Sequence, residues 1–168
     1  MLQDIASQSG MELVIIRPSL VYGPGVKGNF ATMLAWLARG IPLPLGAINN
    51  RRSLLALDNF CDFLSLCVTH PDAGGHTLLV SDGDDLSTTE LLQTLKEGMH
   101  AHTWLLPVPA GILGTLVKLT GHKAWSDRLL GNLQVDPSDT FELTGWRPSK
   151  PARVALLETA AEYKSRSR

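Results

Sequence analysis

The side chains that most often carry out chemistry are scattered along this chain of 168 residues. Only His100 and His102 lie close together, and a separation of two residues in a loop is too little for a metal site. We therefore interpret the histidines as solvated or capping side chains and predict no metal site. The histidines are His70, His76, His100, His102 and His122.

The two cysteines, Cys61 and Cys67, lie six residues apart on one predicted helix. That spacing does not place two side chains on one helical face, and no metal-ligand pattern surrounds them. We expect both thiols to be reduced and mostly buried. Reduced cysteines in turn indicate a cytoplasmic protein.

The chain offers little for binding a dinucleotide cofactor. Gly23-Pro24-Gly25 forms a tight loop, but proline removes an N–H donor where a phosphate cradle needs one. We therefore expect no cofactor cradle. A catalytic Tyr-x-x-x-Lys is absent, because Val26 follows Tyr22 at that spacing and Ser167 follows Tyr163. We predict no catalytic residue in this chain.

Composition argues against two kinds of partner. The formal net charge of −1 gives no basic surplus for a nucleic acid. No apolar run approaches the roughly 20 residues needed to span a membrane, and the N-terminus lacks an apolar signal segment. The apolar stretch 105–119 is broken by Pro107, Pro109, Gly111 and Gly114. We favour a surface-docked helix there over a membrane role.

Short predicted strands alternate with helices, which indicates an α/β or α+β fold. The nearly continuous apolar run 12–17 is typical of a strand buried on both faces of a parallel sheet. Asp58 and Ser87 are predicted helix N-caps, and Glu90 completes a capping box with Ser87. Predicted strands cover 12–17, 52–57, 77–80 and 103–106. Predicted helices cover 1–9, 29–39, 58–69, 87 onwards, 109–119, 137–144 and 151–163, with a loop at 21–28 and extended segments at 41–46 and 133–135.

Several motifs, in this order and spacing, resemble the NAD-dependent epimerase/dehydratase family, a group of extended short-chain dehydrogenases acting on nucleotide sugars. Within the family the resemblance is to UDP-glucose and UDP-N-acetylhexosamine 4-epimerases and 4-keto-reductases of bacterial surface-polysaccharide synthesis. The motifs are Ile15-Ile16-Arg17-Pro18-Ser19-Leu20-Val21-Tyr22-Gly23-Pro24-Gly25, Gly28-Asn29-Phe30, Gly40-Ile41-Pro42-Leu43-Pro44-Leu45-Gly46, Arg52-Ser53-Leu54-Leu55-Ala56-Leu57-Asp58-Asn59, Leu133-Gln134-Val135-Asp136 and Leu143-Thr144-Gly145-Trp146-Arg147-Pro148.

The resemblance implies the C-terminal portion of an NAD(P)-binding Rossmann-fold enzyme, with short strands and helices. Residues 1–25 would be the end of the Rossmann half, a helix tail and one sheet strand. Residues 26–168 would form the nucleotide-sugar-binding domain. The complete family enzyme uses NAD(P), and we expect none to bind this chain alone.

The resemblance also implies site residues. Arg17 and Pro18 would run beside the nicotinamide of a complete enzyme. Arg52 would hold the nucleotide diphosphate, since a guanidinium binds phosphate oxygens bidentately. The alternatives for Arg52 are a plain surface arginine, or that Arg51 does this work. Arg128 resembles a second phosphate-binding arginine, with a solvated helix arginine as the alternative.

Two further pairs complete the implied site. Asn29 and Phe30 would meet the nucleotide at a helix start, where N–H groups favour an anion, and Asn29 could equally be an N-cap. Leu43 and Leu45 would flank the uracil ring, with ordinary core packing as the alternative. We interpret Trp146 as a core residue.

Two positions depart from the family pattern. Leu20 stands where many members have an asparagine that touches the substrate phosphates, and Asp139 stands where a lysine is frequent. The function implied is the substrate-binding part of a nucleotide-sugar 4-epimerase or reductase, inactive alone. The alternative is a non-catalytic nucleotide-sugar-binding remnant. The implied partners are a UDP-sugar and either a Rossmann half in trans or a second copy, because the first strand would have an open edge.

Overall fold

A computed structural model describes residues 2–119 and 130–166, in which short strands alternate with helices. The strands are β1 (Ile15–Pro18), β2 (Leu20–Tyr22), β3 (Arg52–Ala56), β4 (Thr77–Val80) and β5 (Asp85–Leu86). The helices are α1 (Leu2–Ser9), α2 (Gly28–Ala38), α3 (Leu57–Thr69), α4 (Thr88–Gly98), α5 (Ala110–Leu119), α6 (Ser138–Thr144) and α7 (Ala152–Arg166).

The strands form two small sheets. β1 pairs with β4 in parallel, with Ile15 opposite Thr77. β2 pairs in parallel with β3, and β3 pairs antiparallel with β5. Two backbone hydrogen bonds near the end of β4 connect it to neighbouring segments. Ser19 N–H donates to the Val80 carbonyl at 2.9 Å, and Asp82 N–H donates to the Leu54 carbonyl of β3 at 2.8 Å. The predicted α/β class is confirmed.

Two apolar clusters form the core. The larger one lies between α2, α4 and α7 and includes Phe30, Leu34, Leu92 and Leu156. The smaller one packs α3 against β1 and β4 around Trp146. The Trp146 indole meets the Phe63 ring edge-on with centroids 5.0 Å apart. The prediction that Trp146 is a core residue is confirmed.

Other local predictions have mixed outcomes. The capping box is confirmed: Glu90 N–H donates to Ser87 Oγ at 3.1 Å, and Ser87 N–H donates to the Glu90 carboxylate at 2.8 Å. Asp58 is not an N-cap, because β3 runs directly into α3 and Ala56 takes the cap position without a side-chain bond. The strand predicted at 103–106 is wrong, since only Leu105 forms a bridge there.

Three further differences concern exposure and pairing. β1 begins three residues later than predicted and is not buried on both faces, because Arg17 and Pro18 are exposed. Residues 20–22 form β2 rather than the start of a loop. Both cysteines are free thiols as expected, but Cys61 is exposed. Within the described ranges, no helix combines the length and apolar character needed to cross a membrane.

Candidate functional site

A cleft of about 460 Å³ opens between the start of β2, the start of α2, the start of β3 and the start of α4. It brings together Asn29, Phe30 and Arg52, three of the residues that the resemblance implies for substrate binding. The rest of its polar lining comes from Lys27, Gly28 and Thr88. Its apolar lining is Leu20, Val21, Val26, Phe30, Met33 and Leu91.

The start of α2 supplies one wall. The helix begins at Gly28, and the N-cap position is Lys27, whose side chain makes no capping bond. The alternative that Asn29 is the N-cap is therefore wrong. Asn29 is an exposed residue of the first turn, which contains no acidic side chain. The amides of a helix start and the Lys27 ammonium together favour an anion in the cleft.

The loop before α2 has a glycine spacing that our sequence analysis missed. Gly23, Gly25 and Gly28 follow the pattern Gly-x-Gly-x-x-Gly between β2 and α2, and β3 returns parallel to β2. Gly28 has φ +66° and open space where a Cβ would be. Only glycine takes this backbone readily, and the open space lets a ligand approach the helix start closely.

Gly23, at the start of the same loop, serves the fold. A Cβ on Gly23 would lie 2.8 Å from the Leu57 Cβ, so this glycine allows the turn to pack on α3. Val26 N–H already donates to the Gly23 carbonyl at 3.1 Å, and Pro24 has no N–H. Two of the loop's amides therefore cannot cradle a dinucleotide pyrophosphate. The residues of this loop do not fit an NAD(P) cradle despite their spacing.

Phe30 is held rigidly beneath the cleft. Its ring is buried and stacks on Tyr22, with centroids 5.6 Å apart and an angle of 14° between the planes. Tyr22 Oη donates to the Ala152 carbonyl at 3.1 Å and lies 3.4 Å from Asp82 Oδ2. Burial, and then the neighbouring Asp82, raise the pKa of Tyr22 far above its ordinary value. The hydroxyl thus stays protonated and anchors the ring pair.

Arg52 lines the cleft as the first residue of β3. It is half-buried, and its Nη1 donates to the Gly131 carbonyl at 3.4 Å. Burial lowers the pKa of the guanidinium, but an arginine stays charged throughout the working pH range. Arg51 is exposed, directs Nη1 to the Asp85 carbonyl at 3.4 Å and does not line the cleft.

The remaining expected site residues do not meet in this cleft. Arg17 and Pro18 are exposed at the end of β1, in the other sheet. Leu43 and Leu45 are buried in the larger core. Both backbone groups of Leu43 are used, since its N–H donates to the Trp104 carbonyl and its carbonyl accepts from Leu106 N–H. Arg128 lies outside the described residues.

Lys27 and Thr88 are cleft residues that sequence reasoning missed. The sequence could have indicated Lys27, because it comes directly before a helix that begins with a glycine. Thr88 carries none: it follows the capping Ser87 some 36 positions after Arg52, and the pairing of β3 with β5 brings the two segments together. Within residues 2–119 and 130–166, no three histidine, cysteine or acidic side chains gather as a metal site would require.

The fold and the cleft define a mixed α/β protein with a cationic, partly apolar cleft suited to an anionic organic ligand. A family model for the NAD dependent epimerase/dehydratase family matches residues 1–81. The chain is 44% identical over 160 residues to a UDP-glucose 4-epimerase of Vibrio cholerae, covering 95% of this chain and 49% of that protein. The chain belongs to the NAD-dependent epimerase/dehydratase family.

A second curated protein is also similar in sequence, and a solved structure is similar in fold. An N-acetyl-alpha-D-glucosaminyl-diphospho-ditrans,octacis-undecaprenol 4-epimerase of Escherichia coli O157:H7 is 29% identical, covering 66% of this chain and 36% of that protein. The Bordetella bronchiseptica enzyme WbmG, solved with NAD and UDP, superposes with a TM-score of 0.69 at 20% identity, covering 98% of this chain and 48% of that one. The chain thus spans half or less of the length of each of these relatives.

Proposed function

We propose that this chain is the substrate-binding part of an NAD(P)-dependent nucleotide-sugar 4-epimerase or 4-keto-reductase, and that it is inactive alone. The observation that carries the proposal is the cleft, whose lining brings Arg52 together with the first turn of α2 and with apolar side chains. The similarity to the Vibrio cholerae UDP-glucose 4-epimerase supports a UDP-sugar as the ligand.

In this proposal each wall of the cleft has one task. Arg52 and Lys27 neutralise the diphosphate, and the amides of the first turn of α2 donate to its oxygens. Gly28 allows that close approach because it carries no side chain. Phe30, fixed by Tyr22, keeps the helix start in place. Binding the remote nucleotide so firmly would position the sugar, which is how non-reacting groups contribute to rate.

The nicotinamide cofactor belongs, in the proposal, to residues other than those of this cleft. In the complete family enzyme NAD(P) would supply the hydride acceptor and donor. The 23–28 loop does not fit its pyrophosphate, so no step of the reaction is assigned to this chain. Arg17 and Pro18, at the exposed end of β1, are the residues that we propose to lie beside the nicotinamide.

Leu20 gives the cleft an apolar side chain where many family members have an amide. It lies at the start of β2, is exposed, and lines the cleft beside Val21. Leu43 and Leu45 belong to the larger core together with Phe30 and Met33, and in the proposal they support the cleft only through that packing. The undecaprenol-linked activity named for the Escherichia coli relative supports a place in bacterial surface-polysaccharide synthesis. The free thiols of Cys61 and Cys67 suit a cytoplasmic location.

A partner for β1 is part of the proposal. Among the described residues β1 pairs only with β4, and apolar side chains nearby are exposed on α1, at Met11 and at Leu79. An open parallel edge with an apolar face invites association. We propose that a Rossmann half supplied in trans, or a second copy of the chain, covers this surface. The second candidate is a non-catalytic nucleotide-sugar-binding remnant.

The test is a calorimetric titration of UDP, and separately of NADH, into the purified chain. Arg52→Ala is compared with Arg51→Ala, its neighbour outside the cleft. We expect UDP to bind the chain and Arg52→Ala to weaken binding about tenfold or more, as for loss of a hydrogen bond to a charged group. Arg51→Ala should bind like the original chain.

Three results would contradict this proposal. Absence of UDP binding would mean that the cleft is no nucleotide site in this chain. Equal losses for both arginine variants would mean that net charge, not the placement of Arg52, governs binding. Binding of NADH without UDP would assign the chain to the cofactor side. An epimerase assay after adding a purified family Rossmann half separates the enzyme part from the remnant, since only the former gains activity.

A further inference from the structure

Asn50 is a buried polar residue two positions before Arg52. Its side chain is 6% exposed and makes hydrogen bonds at both ends. Nδ2 donates to the Gly131 carbonyl at 3.0 Å, and Oδ1 accepts from Thr88 N–H at 2.8 Å. An amide is the side chain that donates and accepts from one planar group, so this pair of bonds suits asparagine.

Both partners of Asn50 belong to the cleft. Thr88 is the first residue of α4 and lines the cleft directly. The Gly131 carbonyl is the acceptor of Arg52 Nη1, at 3.4 Å. The Asn50 amide therefore connects the carbonyl that accepts from the Arg52 guanidinium with the start of α4.

The segment that carries Gly131 is fastened to β3 beyond Asn50. Arg51 N–H donates to Asn132 Oδ1 at 2.9 Å, Leu133 N–H donates to the Arg51 carbonyl at 2.9 Å, and Ser53 N–H donates to the Leu133 carbonyl at 2.9 Å. These bonds fix the segment along β3 at 132–133. Asn50 sets its end, at the carbonyl that Arg52 contacts.

We propose that Asn50 is a positioning residue that orients Arg52 for the diphosphate of the ligand. It acts by holding the Gly131 carbonyl and the start of α4 at a fixed separation. This inference rests on the proposed function, that the cleft binds a nucleotide diphosphate. Asn50 does not line the cleft, so its effect on binding passes through Arg52 and Thr88.

The test is a double-mutant cycle on UDP affinity with Asn50→Ala, Arg52→Ala and the double variant. Asn49→Ala, an exposed neighbour, is the matched control. We expect Asn50→Ala to weaken UDP about tenfold in the original chain and to have little further effect in the Arg52→Ala background, as for coupled residues. Asn49→Ala should leave the affinity unchanged.

Asn50→Asp gives a second readout that a purely structural role would not produce. The ionised carboxylate keeps an acceptor for Thr88 N–H but cannot donate to the Gly131 carbonyl. We compare about pH 8 with about pH 4.5. The lower pH is close to the ordinary aspartic acid pKa of about 3.9, so part of the carboxyl is protonated there and can again donate to the Gly131 carbonyl. We expect its UDP affinity relative to the original chain, measured at the same pH, to recover on acidification. This variant also serves if Asn50→Ala does not fold, as judged by circular dichroism.

The outcomes separate the two proposals. If the original chain does not bind UDP, the proposed function fails and this inference with it. If the original chain binds UDP but the losses from Asn50→Ala and Arg52→Ala simply add, only the role of Asn50 is refuted. The role of Asn50 is refuted as well if the UDP affinity of Asn50→Asp, relative to that of the original chain at the same pH, does not change with pH.

Discussion

Gly98, the last residue of α4, allows this helix to touch α7. A Cβ built on Gly98 would lie 2.7 Å from the Leu157 carbonyl oxygen and 2.9 Å from the Ala160 Cβ. Both distances are too short for any real contact, and neither neighbour can rotate away, because one is backbone and the other is a methyl group on the helix. Gly98→Ala must therefore push α4 and α7 apart by several tenths of an ångström.

Two opposing effects decide the magnitude. Alanine in place of glycine gains up to about 1 kcal/mol of helix propensity, and less at a helix end. Overpacking a close contact costs about 1–3 kcal/mol. We therefore expect Gly98→Ala to lower the free energy of unfolding by about 1–2 kcal/mol. Gly114, inside α5, has nothing within 4 Å of a built Cβ among the described residues. Gly114→Ala should raise the free energy of unfolding by about 0.5–1 kcal/mol.

The assay is urea unfolding of the original chain and the two variants, monitored by circular dichroism. The free energies are compared where the dependence on urea concentration has the same slope in all three chains. Opposite signs for the two glycines are the expected result. If Gly98→Ala is as stable as the original chain or more so, the close contact between α4 and α7 does not exist as described. A loss for both variants would show that helix propensity and packing space are not the governing terms.

Two further predictions concern pH. Ser87→Ala should lower the free energy of unfolding by about 1 kcal/mol. Bonds from the Ser87 amide and hydroxyl lower the pKa of Glu90. The stabilisation from Glu90 is therefore present above its unfolded pKa and is lost as the pH falls through the lower folded pKa. Thermal melts at a series of acid pH values should show that stability falls less steeply with falling pH in Ser87→Ala than in the original chain. An equally steep fall in both chains would refute this role of Ser87. Burial raises the pKa of Asp82 and outweighs the hydrogen bonds to its carboxylate, which lower it. The contribution of Asp82 to stability is therefore complete below the unfolded pKa and is lost as the pH rises through the folded pKa. Asp82→Asn should remove this decline from the same melts, and a decline that persists would assign it to another group.

Local signals in the sequence were enough for several elements. The Ser87 and Glu90 capping box needs only four consecutive residues, and the structure contains it. β4 was predicted at its observed bounds because a short apolar run lies between polar loops. The resemblance to the family named Asn29, Phe30 and Arg52, and the structure places all three around one cleft.

Pairing between distant segments left no such signal. β2 is only three residues long and exists because its backbone pairs with β3, more than thirty positions later in the chain. Asp58 was a plausible cap, yet the direct passage from β3 into α3 makes Ala56 the cap. The strand expected at 103–106 has the right composition, but only Leu105 finds a partner, at Leu43. Strand propensity is realised only where a neighbouring edge is present.

Asp82 shows why the two sheets behave as one support for the cleft. Its N–H donates to the Leu54 carbonyl at 2.8 Å, and its carboxylate accepts from Ala56 N–H at 2.9 Å and from Asn59 Nδ2 at 2.7 Å. These bonds take the place of a ladder between β3 and the segment after β4. In the sequence Ser-Asp-Gly indicates only a turn, because nothing local reveals the two N–H donors that bind the carboxylate.

The same connections bear on how the chain divides. A boundary at residue 25 stays a prediction about function, based on the family. β1 and β2 precede that boundary, yet β1 pairs with β4 and β2 pairs with β3, both of which follow it. Neither segment can unfold without breaking both ladders. The partner proposed for β1 would therefore be connected, through β4 and Asp82, to the strand that carries Arg52.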